Sequence, residues 1–329
     1  MSDIGFAVVG LGMGRSRAGL VNETAGAHLV TVVDLNRDLA KETAADLGCD
    51  WTDRVDDALK NDDVDVMFVV TPSGLHADIA IASLEAGKHT ITTKPMEVTV
   101  AKCDSIIAAA EKSGKLLGVD FQQRYCDESQ QIKYALDNGL LGKPVLAEGR
   151  LKWYRNQEYY DAGGWRGTWK MDGGGALANQ TIHAIDQIVW FMGRAKSVIG
   201  RIGTFTHKIE TEDLGIALIE FESGAMGTVM GTTTFPDSRY WGVEVHGSEG
   251  GVIVMFGEDP SWAFLEEHAD REGQLKRLVP HQNVVEDVVS ALQHGTPLVC
   301  DAQQGRMSVE LLNAIYDSAK NGGKPVDLS

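Results

Sequence analysis

Cysteine is scarce in this chain: four in 329 residues, Cys49, Cys103, Cys126 and Cys300, none in a CxxC pair and none interleaved with histidine at metal-ligand spacing. That argues against a disulfide framework and against a zinc site, so no metal is expected, and four reduced thiols fit a cytoplasmic protein. Positive charge is also in short supply, with 30 Lys and Arg against 47 Asp and Glu and a formal charge of −17. A chain of that sign repels phosphate backbones and anionic lipid headgroups, so neither nucleic acid nor a membrane surface is an expected partner. No apolar run approaches the ~20 residues that span a bilayer. Only Met1, Ser2 and Asp3 precede the first apolar run, without a basic leader. Internal repeats and low-complexity tracts are lacking as well.

What is present is a chain of 329 residues with 43% hydrophobic content, larger than one core usually supports, so two domains are expected. Short apolar runs at Ile4 to Val9, Leu29 to Val33, Val64 to Val70, Lys88 to Thr93 and Leu116 to Phe121 alternate with amphipathic stretches at Asp38 to Leu47, Ala77 to Ala86 and Ala101 to Lys112. Strand and helix in alternation build a parallel, doubly wound sheet, and Gly48, Gly87 and Gly114 stop the helices. After about residue 122 the pattern changes. A helix at Gln130 to Asn138, a polar aromatic stretch and a helix from Ala176 to Met192 lead into strands at Val198 to Phe205, Leu214 to Glu222, Ala225 to Phe235, Tyr240 to His246, Val252 to Phe256 and Ala263 to Glu266. Turns at Ser223-Gly224 and Glu249-Gly250-Gly251 make this one large, open, mainly antiparallel sheet, and helices at Asn283 to Gln293 and Gly305 to Lys320 close the chain. The fold class is thus α/β for residues 1–122 and α+β for residues 123–329.

The first apolar run enters Gly10-Leu11-Gly12-Met13-Gly14 and then a helical stretch, the arrangement in which glycines permit a tight turn and backbone N–H groups approach a pyrophosphate. Asp34 closes the second run, 22 residues beyond Gly12, where a Rossmann domain places the carboxylate that binds the adenosine ribose. Arg15 occupies the usual third glycine position, so the fingerprint is shifted. Asp34 favours NAD over NADP because it repels a 2′-phosphate, although Arg37 is near enough to swing toward one. Thr71-Pro72-Ser73 ends another run on the crevice edge, with His76 following either as a cofactor contact or as a capping and packing residue.

Thr92-Thr93-Lys94-Pro95 delivers an ammonium to the same edge, where partial desolvation brings a lysine toward the range useful for proton transfer. Farther on, Gly173-Gly174-Gly175 precedes a helix with Asn179, His183 and Asp186 at i, i+4 and i+7, expected on one face opposite Ile182, Ile185, Val189 and Met192. Tyr154, Trp165, Arg166, Trp169 and Lys170 gather in a glycine-rich stretch whose aromatic faces and directional donors suit a polyhydroxylated substrate. Arg124 and Tyr125 fit either substrate hydrogen bonding or interdomain packing.

These residues in this order resemble the glucose-fructose oxidoreductase, inositol dehydrogenase and MocA family over almost the whole chain. The features that carry the resemblance are the glycine turn with Asp34, Thr71-Pro72 with His76, Lys94-Pro95, Arg124-Tyr125, Trp165 to Trp169, the triple glycine with Asn179, His183 and Asp186, and the run Asn313 to Ala319. The resemblance implies a nicotinamide-dependent oxidoreductase acting on a secondary alcohol of a sugar or cyclitol, with Lys94 and His183 as acid/base pair, Pro95 setting the lysine's backbone and substrate lying between the domains. Two departures stand out: Thr93 replaces the glutamate often found before the lysine, and Asn179 replaces an aspartate and cannot take a proton.

Two other functions share these residues. NAD could be recycled within a redox-neutral elimination or glycoside cleavage, or the chain could be a dinucleotide-binding sensor without turnover. The second-domain sheet has apolar positions on both faces in Leu214 to Phe221 and Val229 to Phe235, so a homo-oligomer packed through that sheet is expected.

Overall fold

The apolar runs near the N-terminus are short and nearly continuous because both faces of the sheet they form are covered. The computed structural model describes residues 3–237, 240–255 and 257–328. Met1, Ser2 and Phe256, which figure in the expectations above, lie outside that range. In the first part of the chain the elements are β1 (Ile4–Val9), α1 (Gly14–Glu23), β2 (Ala27–Val33), α2 (Arg37–Leu47), β3 (Asp50–Thr52), α3 (Val55–Leu59), β4 (Val66–Val69), α4 (His76–Glu85), β5 (His89–Thr93), α5 (Val100–Ser113) and β6 (Leu117–Asp120). They form a six-stranded parallel sheet in the order β3-β2-β1-β4-β5-β6, so the chain reverses direction across the sheet between β1 and β4. Local chemistry agrees at the helix ends. Asn36 Oδ1 accepts from Leu39 N–H at 3.2 Å to start α2, and Gly48 and Gly114 take the left-handed conformation that ends α2 and α5.

The second part comprises α6 (Asp127–Asp137), β7 (Pro144–Lys152), α7 (Gln157–Asp161), a π-helical segment Ala176–Thr181 running into α8 (Ile182–Met192), β8 (Ala195–Gly203), β9 (Leu214–Phe221), β10 (Met226–Thr232), β11 (Tyr240–Gly247), β12 (Gly250–Met255), β13 (Ser261–Phe264), α9 (Val284–His294), α10 (Ala302–Lys320) and β14 (Val326–Asp327). Among the described residues the sheet has eight strands in the order β13-β12-β11-β7-β10-β9-β8-β14, antiparallel except for the β7–β10 pair. Its buried face, with Ala147, Leu151, Ala217, Ile219, Val229 and Val243, packs on α8 and, at β9 and β10, on the π-helical segment. Gly149 is needed there, because a Cβ would lie 3.1 Å from the Ala184 methyl.

Two compact units result: Met1–Gln122 with His281–Arg306, and Gln123–Pro280 with Met307–Ser329. The linear division at residue 122 did not anticipate the return of 281–306 to the first unit. That segment is held there by burial of Val284, Val285 and Val288 and by a Val119 N–H bond to the Cys300 carbonyl at 3.1 Å. Nor did the apolar pattern reveal β3 or β7. β3 has only three residues, and β7 interrupts its alternation with Glu148, Gly149 and Arg150. Among the described residues no helix is long and apolar enough to cross a membrane.

Candidate active site

In the first unit, β1 delivers the chain into a turn at Gly10, whose φ of 88° favours glycine and whose added Cβ would lie 2.9 Å from the Thr71 nitrogen. Gly14 resolves the shifted fingerprint. A Cβ there would sit 3.3 Å from both Val70 and Val8, so Gly14, at the start of α1, gives the close helix–sheet approach while Arg15 turns away to Glu42. Gly12 faces open space, Met13 is exposed, and Met13 offers α1 no side-chain cap. Ser16 N–H turns to the Met13 carbonyl at 3.2 Å, and with no side-chain cap the helix start is open to an anion.

Asp34 sits at the end of β2 with Oδ2 accepting from Leu11 N–H at 2.7 Å and Oδ1 from Asn36 N–H at 2.8 Å. Each oxygen keeps a lone pair for a ribose hydroxyl. Arg37, opening α2, is held by Asp53 at 3.5 Å and lies over the Trp51 ring. Thr71 and Pro72 follow β4, and the buried Thr71 hydroxyl has no partner. These groups fit a dinucleotide: a glycine turn with room, an uncapped helix start, an anchored carboxylate and an unspent hydroxyl on one strand-end edge.

Of the two roles open to His76, its surroundings are those of a packing residue. Its ring is fully buried, with Nδ1 3.0 Å from the Pro95 carbonyl and Nε2 2.9 Å from the Thr71 carbonyl. A neutral ring has one N–H and donates to one of these carbonyls, so the imidazole packs between the loop after β4 and the Lys94-Pro95 loop after β5. Burial lowers its pKa against the pull of those carbonyls and of Glu97. Lys94 is half-buried at the end of β5 and precedes a cis bond to Pro95.

One acid near Lys94 was not foreseen. Asp120 ends β6 almost fully buried, accepting from Arg17 Nε at 2.6 Å. Burial raises its pKa, while Arg17 and Lys94 oppose that rise, so the Lys94 ammonium has a carboxylate within electrostatic reach. The signal was available: Asp120 is a charged residue closing an apolar run, as Lys94 does on the neighbouring strand.

In the second unit, the helix from residue 176 is not uniform. A π turn advances each residue less far around the axis than the roughly 100° of an α-helix, so the three-residue face predicted from spacing is broken. Asn179 and His183 stay half-buried, but Asp186 is fully buried. Its carboxylate takes Arg124 Nε and Nη2, both at 2.8 Å, and Ser308 Oγ at 2.8 Å. Arg124 is likewise fully buried and lies over the Trp190 ring, which makes it a scaffold group rather than an accessible substrate donor. Tyr125 is buried beside it.

Asn179 donates from Nδ2 to Asp172 Oδ1 at 2.7 Å, and its Oδ1 accepts from Gln180 Nε2 at 3.0 Å, which fixes the amide's orientation. Asp172, just before the triple glycine, also accepts from Gly167 N–H at 2.8 Å and was missed because nothing in its spacing marks it. His183 lies beside Trp241, ring centroids 5.9 Å apart. Arg166 stacks on Trp165 and Tyr159, with Arg155 also over Tyr159. Trp169 Nε1 donates to the Glu210 carbonyl at 3.1 Å, Tyr154 is exposed, and Lys170 is exposed. This cluster contains Tyr159 and Gln180 in addition to the residues read from sequence.

Residues 4–121 match the oxidoreductase family with an NAD-binding Rossmann fold, and residues 129–253 match the GFO/IDH/MocA C-terminal domain. The chain is 28% identical over 256 residues to scyllo-inositol 2-dehydrogenase (NAD(+)) of Bacillus subtilis, covering 75% of this chain and 72% of that protein. It is 28% identical over 331 residues to inositol 2-dehydrogenase of Rubrobacter xylanophilus, covering 97% and 92%. Among solved structures, the WlbA dehydrogenase of Bordetella pertussis in complex with NADH and UDP-GlcNAcA is similar at a TM-score of 0.91 and 30% identity, covering 100% of this chain and 98% of that one. With the dinucleotide groups in place on the first unit and both halves matched, the chain belongs to the GFO/IDH/MocA family of NAD-binding oxidoreductases.

Proposed function

We propose that this protein oxidises a secondary alcohol of a sugar or cyclitol to the ketone, with Lys94 and His183 as its acid/base pair. NAD, held by the Gly10 to Gly14 turn, Asp34 and Thr71, supplies the hydride acceptor. The remaining work falls to the side chains. His183 takes the hydroxyl proton, the Lys94 ammonium stabilises the developing alkoxide, and Asn179, its amide fixed by Asp172 and Gln180, orients the reacting hydroxyl. Tyr154, Trp165, Arg166 and Trp169 supply stacking faces and donors for a polyhydroxylated ring. The observation that carries the reading is the Lys94 ammonium on the NAD-side strand edge with the buried Asp120 carboxylate as counter-charge.

The test is a panel of polyols, sugars, uronic acids and nucleotide-linked sugars, followed by NADH and NADPH absorbance separately. Acidic members belong in it because Arg155 and Arg166 both lie over Tyr159. Lys94→Ala should lower turnover by about 10² to 10⁴ while leaving NAD affinity near normal, and a variant with near-normal turnover would remove the assignment.

We also infer a homo-oligomer packed through the second unit's sheet. Ile216 and Leu218 on β9, Ile199 on β8 and Met226 on β10 expose their side chains. A monomer by light scattering at working concentration would contradict that. Four free thiols at Cys49, Cys103, Cys126 and Cys300 are in keeping with a reducing, cytoplasmic setting.

A further inference from the structure

Three separated stretches of sequence meet around one buried acid. Glu212, two residues before β9, is 1% exposed. Its Oε1 accepts from Leu177 N–H at 2.8 Å and from the Tyr316 hydroxyl at 2.9 Å, and both oxygens lie 3.1 Å from Gly175 N. The Glu212 carbonyl also accepts from Ala176 N–H at 3.0 Å. The triple glycine makes this approach possible. A Cβ on Gly175 would stand 1.9 Å from the Glu212 carbonyl oxygen, and one on Gly174 would stand 1.9 Å from the Tyr316 hydroxyl.

The N–H groups satisfied here open the π segment, which has no side-chain cap at its own first residue. At its far end, Thr181 Oγ1 returns to the Ala176 carbonyl at 2.8 Å. Among the described residues no ion pair to Glu212 is seen, and burial pushes its pKa up to about 7 against the pull of these donors. A carboxyl kept at such cost, bonded only to one helix entry and one tyrosine, has a geometric task. Tyr316 is itself set by Trp169, edge to face at 5.0 Å.

We infer that Glu212 is a positioning residue: by holding the entry of the π segment it sets where Asn179, and one turn later His183, present their side chains. This rests on the oxidoreductase reading above for its catalytic consequence, though the structural consequence can be read separately. Without the carboxylate, Gly175 and Leu177 lose their acceptor and Tyr316 its partner, and the segment is free to relax toward an ordinary α-helical start.

The experiment compares Glu212→Ala, Glu212→Gln and Tyr316→Phe in the full chain by amide hydrogen exchange over residues 173–183, NADH binding by fluorescence, and kcat and KM. Glu212→Ala should raise exchange at the segment's first amides by about tenfold or more. It should also cut kcat by about 10² with NADH affinity within about twofold, since misplacement of a reacting group acts on turnover. Glu212→Gln, which keeps an acceptor for Leu177 and Tyr316, should recover most of both. If Glu212→Ala does not fold, Tyr316→Phe carries the test with the same pattern at smaller amplitude. Wild-type exchange over 173–183 in the variants, a turnover loss that glutamine does not recover, or an equal loss of NADH affinity would overturn the inference. Altered exchange in a protein that oxidises no member of the panel would instead overturn the functional reading and leave the positioning intact.

Discussion

Replacing Glu212 by glutamine should change how stability depends on pH, and the size follows from its surroundings. Burial lifts this carboxyl from the ordinary 4.5 to about 7. Between those values the folded state holds a proton that the unfolded chain has released, so the contribution of Glu212 to stability is fully present below pH 4.5 and is lost as pH rises through about 7. At about 1.4 kcal/mol per tenfold change, the complete loss is about 3 kcal/mol. Glutamine does not titrate. The variant should therefore gain on the wild-type protein by about 2–3 kcal/mol between pH 5 and pH 8.5, whatever fixed difference the substitution introduces. Urea unfolding of both proteins at the two pH values measures this double difference, in which the cost of an altered hydrogen bond cancels. A gap that stays constant within about 0.5 kcal/mol would refute the reasoning, because it would mean that Glu212 ionises in the folded protein as it does in the unfolded one.

Arg124→Ala should destabilise the protein by about 3–5 kcal/mol in urea, because it strands the Asp186 carboxylate in the interior; a loss under about 1 kcal/mol would show that water reaches the pair. Asp34→Asn removes the charge opposing a 2′-phosphate while keeping an acceptor for Leu11, so the NAD to NADP ratio of kcat/KM should fall by about tenfold or more, a ratio that steady-state assays with each cofactor give directly.

The first unit was legible because its buried strands are apolar runs closed by glycine, polar or charged residues, so the end of each run marks one edge of the sheet at Gly10, Asp34, Thr71 and Lys94. Asp120 followed the same rule and could have been read by it. In the second unit, spacing carried less. The helix bearing His183 was expected to be uniformly α, and a π turn cannot be seen in hydrophobic periodicity because it is fixed by distant groups, Glu212 and Tyr316, that close on its entry. Arg124 and Asp186 look polar in a linear pattern, yet each satisfies the other in the interior. His76 likewise looks polar in the linear pattern yet is buried, its ring packed between the Thr71 and Pro95 carbonyls. The strand β7 was hidden by Glu148 and Arg150, whose partners come from within the same sheet face at Glu244 and Thr228.

The return of residues 281–306 to the first unit has a consequence for synthesis. A ribosome releases the nucleotide-binding sheet early, but the stretch that bonds to β6 at Val119 leaves the tunnel only after strands β7 to β13 of the other sheet have been made. Translation arrested before that point would yield a nascent product whose β6 edge lacks its native cover, a substrate for chaperones rather than a functioning half-enzyme.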